Sequence, residues 1–598
     1  LATVGEVRVE TTDRRGSGLT SMLALVLFVV AVLLVLLDIA DGQGLLRDVD
    51  DGLREYQIRL YLSGASSWFD LSMPQIRTPD LYVSPWSRLV DLPYVLLYWA
   101  YLPLLGETQA LAASFSTWPL VMLAIYVMLV AKFVTPVLAQ SEWPILRIIL
   151  ISALMMVLMS VAVLEFVPGR IDHHNVQILC ALAMMVGLRS FDRGGGVLIG
   201  LASAISVVVG LECVPMIAVA YCGMVSAWLF DPERSARVLS WAGGTLAISS
   251  IVLAVAFISP AALSTVACDS FSAPYAYLAV GYGVIAAAVP LWFGRVSLPG
   301  RLAAMVLPSL AMLALVIALF PECLTGPYWM VDDIARRYWL DPIPQEHGLW
   351  HQLELGHYSV ASSVVLLVIL LFAALGAILP QAGRRPGLAV ALAVACAVAV
   401  LTLAQMRFIR FAAAMIPLFL PYVLLALTDR EQRLRALQGV HGSLGGFAIF
   451  ALAFLMVPKV AAAYRVEMSM GNPCDAGDFS VLATLPSGRI LAPHGLGVPI
   501  LLQGDGRHPV NAVPFHRAAP GMSLGFQALA GSDASVRQRL MKGFSYVAVC
   551  RLPETLSGSG NGLYETLARG ETWPGLVPVD TGAGNPLQIY RIDLQNLR

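Results

Sequence analysis

Residues 166–177 read FVPGRIDHHNVQ. One apolar run closes at Val167, Pro168-Gly169 sets a turn, and Arg170, Asp172, His173, His174 and Asn175 follow before a second apolar run opens. Arg, Asp and two His are groups that hold metals or phosphates. Here they fill a short gap between two stretches that read as membrane helices. Ionisable groups at a membrane boundary are costly and mark functional sites by default. The competing reading is a hydrophilic hairpin that only caps two helices.

Working outward, the 598 residues are 58% hydrophobic and 13% charged, with a mean hydropathy of +0.74. A soluble chain of this size would carry roughly 25% charged residues. A spanning helix needs about 20 mostly apolar residues. That criterion predicts thirteen spans near 19–38, 111–131, 147–166, 175–189, 194–211, 213–230, 238–258, 275–294, 302–320, 358–380, 387–404, 410–428 and 444–464. Tyr94–Leu105 is apolar, short and aromatic, as interfacial or re-entrant helices are. The first apolar run has no small-residue cleavage site after it and reads as an uncleaved helix. The net charge of −1, without a basic block, gives no footprint for nucleic acid. Eight cysteines without a CxxC pair give no zinc-finger or thioredoxin pattern.

Lys and Arg in short loops set orientation. Arg14 and Arg15 place the N-terminus in the cytoplasm. Counting on, the inside links hold Lys132, Arg189, Arg193, Arg234, Arg237, Arg295, Arg301, Arg384, Arg385, Arg430, Arg433 and Arg435. The same parity puts the first loop 39–110, the Asp172 hairpin, the loop 321–357 and everything after 465 outside. Disulfides are permitted there. Cys474 with Cys550 is the preferred pair and Cys268 with Cys323 the second, against the alternative that all are buried thiols. Residues 1–464 thus form a membrane domain. Residues 465–598 change character: strand-length apolar runs at Arg489–Pro493, Val498–Gln503, Tyr546–Cys550 and Leu587–Ile592 alternate with helical patterns at Ser535–Lys542 and Gly562–Arg569. They read as a mixed α/β domain outside the membrane.

Four other groups of residues lie on the expected outer face. Asp48, Asp50 and Asp51 open RDVDDGLREYQIRLYL, where a helix is expected with acids at its positive end. Glu346, His347, His351 and Glu354 cluster in a loop rich in Pro, Gly and aromatics. Arg407 and Arg410, in QMRFIRF, stand at the edge of a span, where they either clamp phosphate oxygens or anchor the helix at headgroup level. Glu212, in GLECVP, is a further boundary acid or a helix cap. Asp oxygens with imidazole suit a divalent ion, and guanidinium groups beside it suit an anionic phosphate leaving group.

In this order of motifs the chain resembles the catalytic subunit of oligosaccharyltransferase, of the GT-C glycosyltransferase superfamily. Asp172-His173-His174 resembles the DHH form of the second acidic motif in archaeal members. Asp48, six residues before Arg54, is similar to the Asp of the family's Asp-Pro-x-x-x-x-Arg pattern, with Asp50 and Asp51 as close alternatives. Glu346 in IPQE resembles the Glu ending the fifth-loop motif, at a spacing one residue longer. Arg407-Phe408 resembles the Arg that contacts lipid pyrophosphate. The WWDYG motif that reads the acceptor sequon has no counterpart in the C-terminal region.

The resemblance implies a metal-dependent, inverting glycosyltransferase of the inner membrane, multi-pass, with its site on the periplasmic face. A sugar or oligosaccharide would move from a polyprenyl-(di)phosphate donor to a glycan, lipid or protein acceptor. Asp48, Asp172, His174 and Glu346 would surround Mg²⁺ or Mn²⁺, with Asp50 and Asp51 as catalytic alternates and His173 and Glu212 as further candidates. Arg407, Arg410 and Arg170 would take the donor phosphate. The alternatives are a single-sugar transferase using a polyprenyl monophosphate on lipid A or a polysaccharide, an anionic-lipid transporter or flippase, and a non-catalytic lipid-binding scaffold. A transporter would place ionisable residues at mid-membrane and show inverted repeats; the sequence shows neither.

Overall fold

Helices account for most of the chain. The computed structural model describes residues 2–40, 48–428, 466–504, 506–558 and 560–597. Among them, helices coincide with twelve of the thirteen expected spans; the thirteenth, 444–464, lies outside the described residues, as do Arg430, Arg433 and Arg435. Among the described residues, eight helices are long and apolar enough to cross a bilayer, and the bent pair Ile145–Leu158 and Ser160–Phe166 makes a ninth if it counts as one span. The span expected near 147–166 is this pair, which bends by 68°. Met159 leaves the helical region there (φ −88°, ψ 3°), directly before Ser160. Three helices of 17 residues each, His174–Ser190, Arg193–Val209 and Val214–Phe230, are shorter than a straight crossing. At 1.5 Å per residue they reach about 25 Å. Tyr94–Leu105 falls within a helix of 14 residues, Leu92–Leu105, with Leu96, Trp99 and Leu104 exposed. The chain is a multi-pass, mostly helical membrane protein with an additional α/β region.

By its internal contacts the chain divides into a membrane unit (Leu1–Arg47, Trp86–Leu324, His347–Lys459) and a second unit (Asp48–Pro85, Thr325–Glu346, Val460–Arg598). Parts of the two expected outer loops 39–110 and 321–357, namely residues 48–85 and 325–346, therefore group with the C-terminal residues.

Helices in lipid gain little from hydrophobicity and associate by close packing of small residues. The membrane unit follows that rule. A Cβ at Gly195 would lie 2.4 Å from the carbonyl oxygen of Gly187, which joins His174–Ser190 to Arg193–Val209. One at Gly200 would meet the Ala242 carbonyl at 2.4 Å, and one at Gly243 the Gly283 carbonyl at 2.5 Å. Four helices are thus held backbone to backbone. Hydroxyls within the membrane unit's helices return to their own backbone, as Ser203 does to Ile199 O at 2.8 Å and Thr402 to Val398 O at 2.7 Å. The Cys268–Cys323 disulfide ties together the segments that follow Pro232–Phe257 and Leu298–Leu319.

In the second unit, a four-stranded sheet runs in the order Ile490–Leu491, Tyr546–Cys550, Leu587–Ile592, Leu576–Pro578. The first pairing is parallel and the other two antiparallel. Tyr546–Cys550 is buried throughout, as a strand covered on both faces must be. Leu576–Pro578 was not anticipated; it is an edge strand of three residues, where a proline costs no ladder bond. Val498–Gln503, expected as a strand, lies in the helix Gly497–Gln503. A short buried apolar run cannot reveal its own periodicity. Pro499 sits in the first turn, where its missing N–H is no loss. The helix Val49–Leu62 packs here too: a Cβ at Gly52 would lie 2.7 Å from Val498 Cγ1. The hairpin Ser72–Arg77 and Leu81–Val83 is stitched to Val510, which accepts from Arg77 N and donates to Gln75 O, each at 2.8 Å. The Cys474–Cys550 disulfide fixes the end of the central strand across 76 residues.

Gly243→Leu should drive the Pro232–Phe257 and Ala273–Phe293 helices apart at their Gly243–Gly283 crossing. Overpacking of this kind costs about 1–3 kcal/mol. A lower thermal unfolding midpoint of the purified protein in detergent is expected; an unchanged midpoint would rule out the backbone contact.

Candidate metal centre

The Pro168-Gly169 turn is fastened before the cluster begins. Gly169 adopts φ +95°, where a side chain would be strained, and its N–H donates to Phe115 O at 3.0 Å. Arg170 N donates to Val167 O at 2.9 Å, and the Asn175 side-chain amide donates to Arg170 O at 3.1 Å. The helix His174–Ser190 starts directly afterwards. Asp172, His173 and His174 are 2%, 4% and 7% exposed, so their polar atoms are satisfied mostly within the protein.

Asp172 lies between two imidazoles. Its Oδ1 contacts His173 Nδ1 and accepts from the His173 backbone N–H at 2.6 Å, while Oδ2 is 3.4 Å from His174 Nε2. His173 Nε2 faces Glu212 Oε1 at 3.3 Å, and its ring lies 5.6 Å from that of Trp86. His174 Nδ1 is 3.3 Å from Gln177 Oε1, and the Gln177 amide donates to Glu212 Oε2. Since the Gln177 oxygen accepts, the His174 proton belongs on Nδ1. The Nε2 lone pair then points toward Asp172. Gly210 leaves room for this arrangement: a Cβ there would sit 2.5 Å from Glu212 Oε2 and 2.6 Å from Gln177 Nε2.

The charges follow from the packing. Burial alone would raise the Asp172 carboxyl, but the neighbouring His173 and His174 and the hydrogen bond from His173 hold it well below the usual carboxylate range. Burial likewise opposes ionisation of Glu212, which the hydrogen bond and charge of His173 keep low. Against its own burial, His173 is pushed up to about 10 by Asp172 and Glu212. At neutral pH it is therefore an imidazolium without a lone pair to offer.

Ligand atoms of Asp172, His173 and His174 lie within 4.8 Å of one another. Of these, Asp172 Oδ2 and His174 Nε2 fit a divalent ion. Two ligands at about 2.1 Å from one ion stand roughly 3.0–3.4 Å apart for octahedral to tetrahedral angles, and this pair is separated by 3.4 Å. Gln177 supplies the outer partner that metal-binding histidines ordinarily have.

The three candidate arginines differ. Arg170 Nη2 and Arg410 Nη1 both reach Glu165, at 2.9 and 3.3 Å. Arg407 is 25% exposed and only 3.9 Å from Glu212 Oε1, a looser pairing. The loop ahead of it is anchored nearby: Met406 N donates to His347 O at 2.9 Å, and a Cβ at Gly348 would lie 2.6 Å from Leu403 O. His351 pairs with Glu354 at 3.2 Å.

The remaining candidates belong to the second unit. Asp48 caps the helix Val49–Leu62, accepting from Val49 N at 2.6 Å, and Asp51 Oδ2 accepts from Asp48 N at 3.1 Å, completing a capping box. Asp50 stands in the same first turn. Glu346 ends a short turn, Pro344–Glu346, with its N–H on Ile343 O at 3.1 Å. Sequence reading passed over Glu165, Gln177, Trp86 and Gly210. Only Gln177 carried a signal, three residues after His174 on the same helix face.

No family model matches this sequence, and no curated protein matches it. Solved structures match its fold. The archaeal oligosaccharyltransferase AglB from Archaeoglobus fulgidus, in complex with an inhibitory peptide and a dolichol-phosphate, aligns with a TM-score of 0.61 at 12% identity, over 96% of this chain and 74% of that one. The apo form of the Archaeoglobus fulgidus oligosaccharyltransferase gives 0.60 at 13% identity, over 94% and 74%. A complex of that enzyme with zinc and sulfate gives 0.55 at 13%, over 96% and 73%. The chain thus shares its fold with the archaeal oligosaccharyltransferase.

Asp172→Asn should abolish manganese binding by calorimetry, and Gln177→Leu should weaken it about 10–100-fold, the usual effect of losing an outer partner. Native affinity in both variants would remove the metal assignment.

Proposed function

We propose that this protein is a membrane glycosyltransferase that moves a sugar or oligosaccharide from a polyprenyl-(di)phosphate donor to an acceptor, with inversion at the anomeric carbon. The observation that carries the reading is the 3.4 Å pair Asp172–His174, with Arg407 close by beside Glu212, in a chain of oligosaccharyltransferase fold. The dolichol-phosphate complex of the archaeal neighbour supports a lipid-linked donor, and its zinc and sulfate complex supports binding of a divalent ion and of an anion.

Asp172 and His174 would hold Mg²⁺ or Mn²⁺, with Asp48 and Glu346 assigned to the same shell on motif order alone. Such an ion neutralises charge developing on a departing phosphate. Arg407 would bind the phosphate oxygens, a role suited to a planar guanidinium. Arg170 and Arg410, held by Glu165, would act at longer range. Asp48, Asp50 or Asp51 would orient the acceptor or take its proton. Gln177, Glu212 and His173 fix the orientation of the two ligands. No nucleotide site is required, because the donor linkage is already activated.

The proposed setting is the inner membrane, with the centre facing the periplasm. Arg189 and Arg193, at the ends of their helices away from the centre, are the charges expected to stay in the cytoplasm. Residues 1–464 would be the catalytic membrane domain and 465–598 a periplasmic domain. The acceptor would be a glycan, a lipid or a protein, and the missing WWDYG motif leaves no sequon reader of that type in the sequence.

Purified protein should release polyprenyl phosphate or diphosphate from a lipid-linked sugar in the presence of manganese, and chelation should stop it. Asp172→Ala should reduce turnover by a factor on the order of 10² or more, as loss of a metal-bound transition-state contact does. Full turnover by that variant would refute the reading. Donors with one or two phosphates, tested side by side, would separate single-sugar from oligosaccharide transfer.

A further inference from the structure

The membrane unit carries a second polar recess, at the ends of its helices away from Asp172. His174 begins its helix and Arg189 lies fifteen residues on, near the end. That is about 22 Å along an α-helix. Likewise Arg407 opens the span Met406–Thr428, and Tyr422 stands toward its close. Among these far ends is a cavity of about 310 Å³. Val137, Ile378 and Leu425 form its apolar wall, and Gln381, Arg385 and Tyr422 its polar one.

Two guanidinium groups serve this recess. Arg385 lines it and donates to Gln140 Oε1 at 3.3 Å. Arg189 stands behind Tyr422, donating from Nε to its hydroxyl at 3.1 Å. Among the described residues, neither makes an ion pair with a carboxylate; both have only neutral oxygens as partners. Arg385 is also the N-cap of the 19-residue helix Pro386–Ala404, whose first turn borders the cavity through Leu388. A helix start favours an anion. Positive charge from two side chains and a helix start therefore meets an apolar wall in one recess.

We infer that this recess binds the phosphate headgroup of an anionic phospholipid, with the lipid's glycerol and upper chain against Val137, Ile378 and Leu425. The shared chemistry with inorganic phosphate is the phosphate oxygen on Arg385. The apolar wall favours the lipid, since a hydrated inorganic ion gains nothing from it. Basic recesses between helices at a membrane face are suited to such headgroups. The inference is independent of glycosyl transfer.

The test is native mass spectrometry of the full-length protein titrated with phosphatidylglycerol, with phosphatidylcholine of equal chain length, and with inorganic phosphate. Phosphatidylglycerol should be retained preferentially. Arg385→Gln, a change at an exposed side chain, should lower its retention about fivefold, the contribution of one basic residue near an anionic surface. Arg385→Lys should retain most of it, which a merely disrupted fold would not do. Equal retention of both lipids, or native retention by Arg385→Gln, would overturn the inference. Displacement of phosphatidylglycerol by millimolar inorganic phosphate would also overturn it, reassigning the recess to a soluble anion.

Discussion

A buried carboxylate between two imidazoles is the constraint on which the membrane unit depends. Asp172 is almost without solvent, and an isolated charge there would be prohibitive. It is tolerable because His173 carries the compensating positive charge and Glu212 stabilises that charge from the other side. The arrangement needs three chain segments in fixed register: the turn at 168–173, the start of His174–Ser190, and the link at 210–213. The glycine contacts between helices supply that register. Because carbonyl oxygens meet glycine carbons directly, these helices have little freedom to slide.

Charge is distributed unevenly around the centre. Glu165 engages two arginines at once, so Arg170 and Arg410 share one carboxylate and are held in place by it, with a net positive charge left over. Arg407 has a longer contact and more exposure. Three guanidinium groups that look equivalent in sequence are thus different in kind. Glu165 lies just past the bend at Met159, in the segment that both arginines reach.

The hydropathy pattern made most helices legible, because lipid imposes one length and one composition on anything that crosses it. The cluster Asp172-His173-His174 was legible because its members are adjacent in sequence and stand at a polar interruption. Gln177 and Glu165 were harder: each sits inside an apolar run, where a single polar residue reads as a helix end or a capped turn. Gly210 carries meaning only through what a methyl group there would strike. In the second unit, the buried run of Val498–Gln503 was misread as a strand because packing, rather than local pattern, decides such short segments. Asp48 and Asp51 show the converse. Their spacing announces a helix start, and the capping box is its physical content.

Gln177 has a consequence beyond orientation. Its oxygen faces His174 while its nitrogen holds Glu212, and Glu212 in turn faces Arg407. A continuous polar chain therefore joins the His174 imidazole to Arg407, the most exposed of the three guanidinium groups. Any ligand that tightens one end also alters the electrostatic setting of the other. By thermodynamic reciprocity, the factor by which an ion raises affinity for an anion must equal the factor by which that anion raises affinity for the ion. The amide is the joint through which the two proposed occupancies would be coupled.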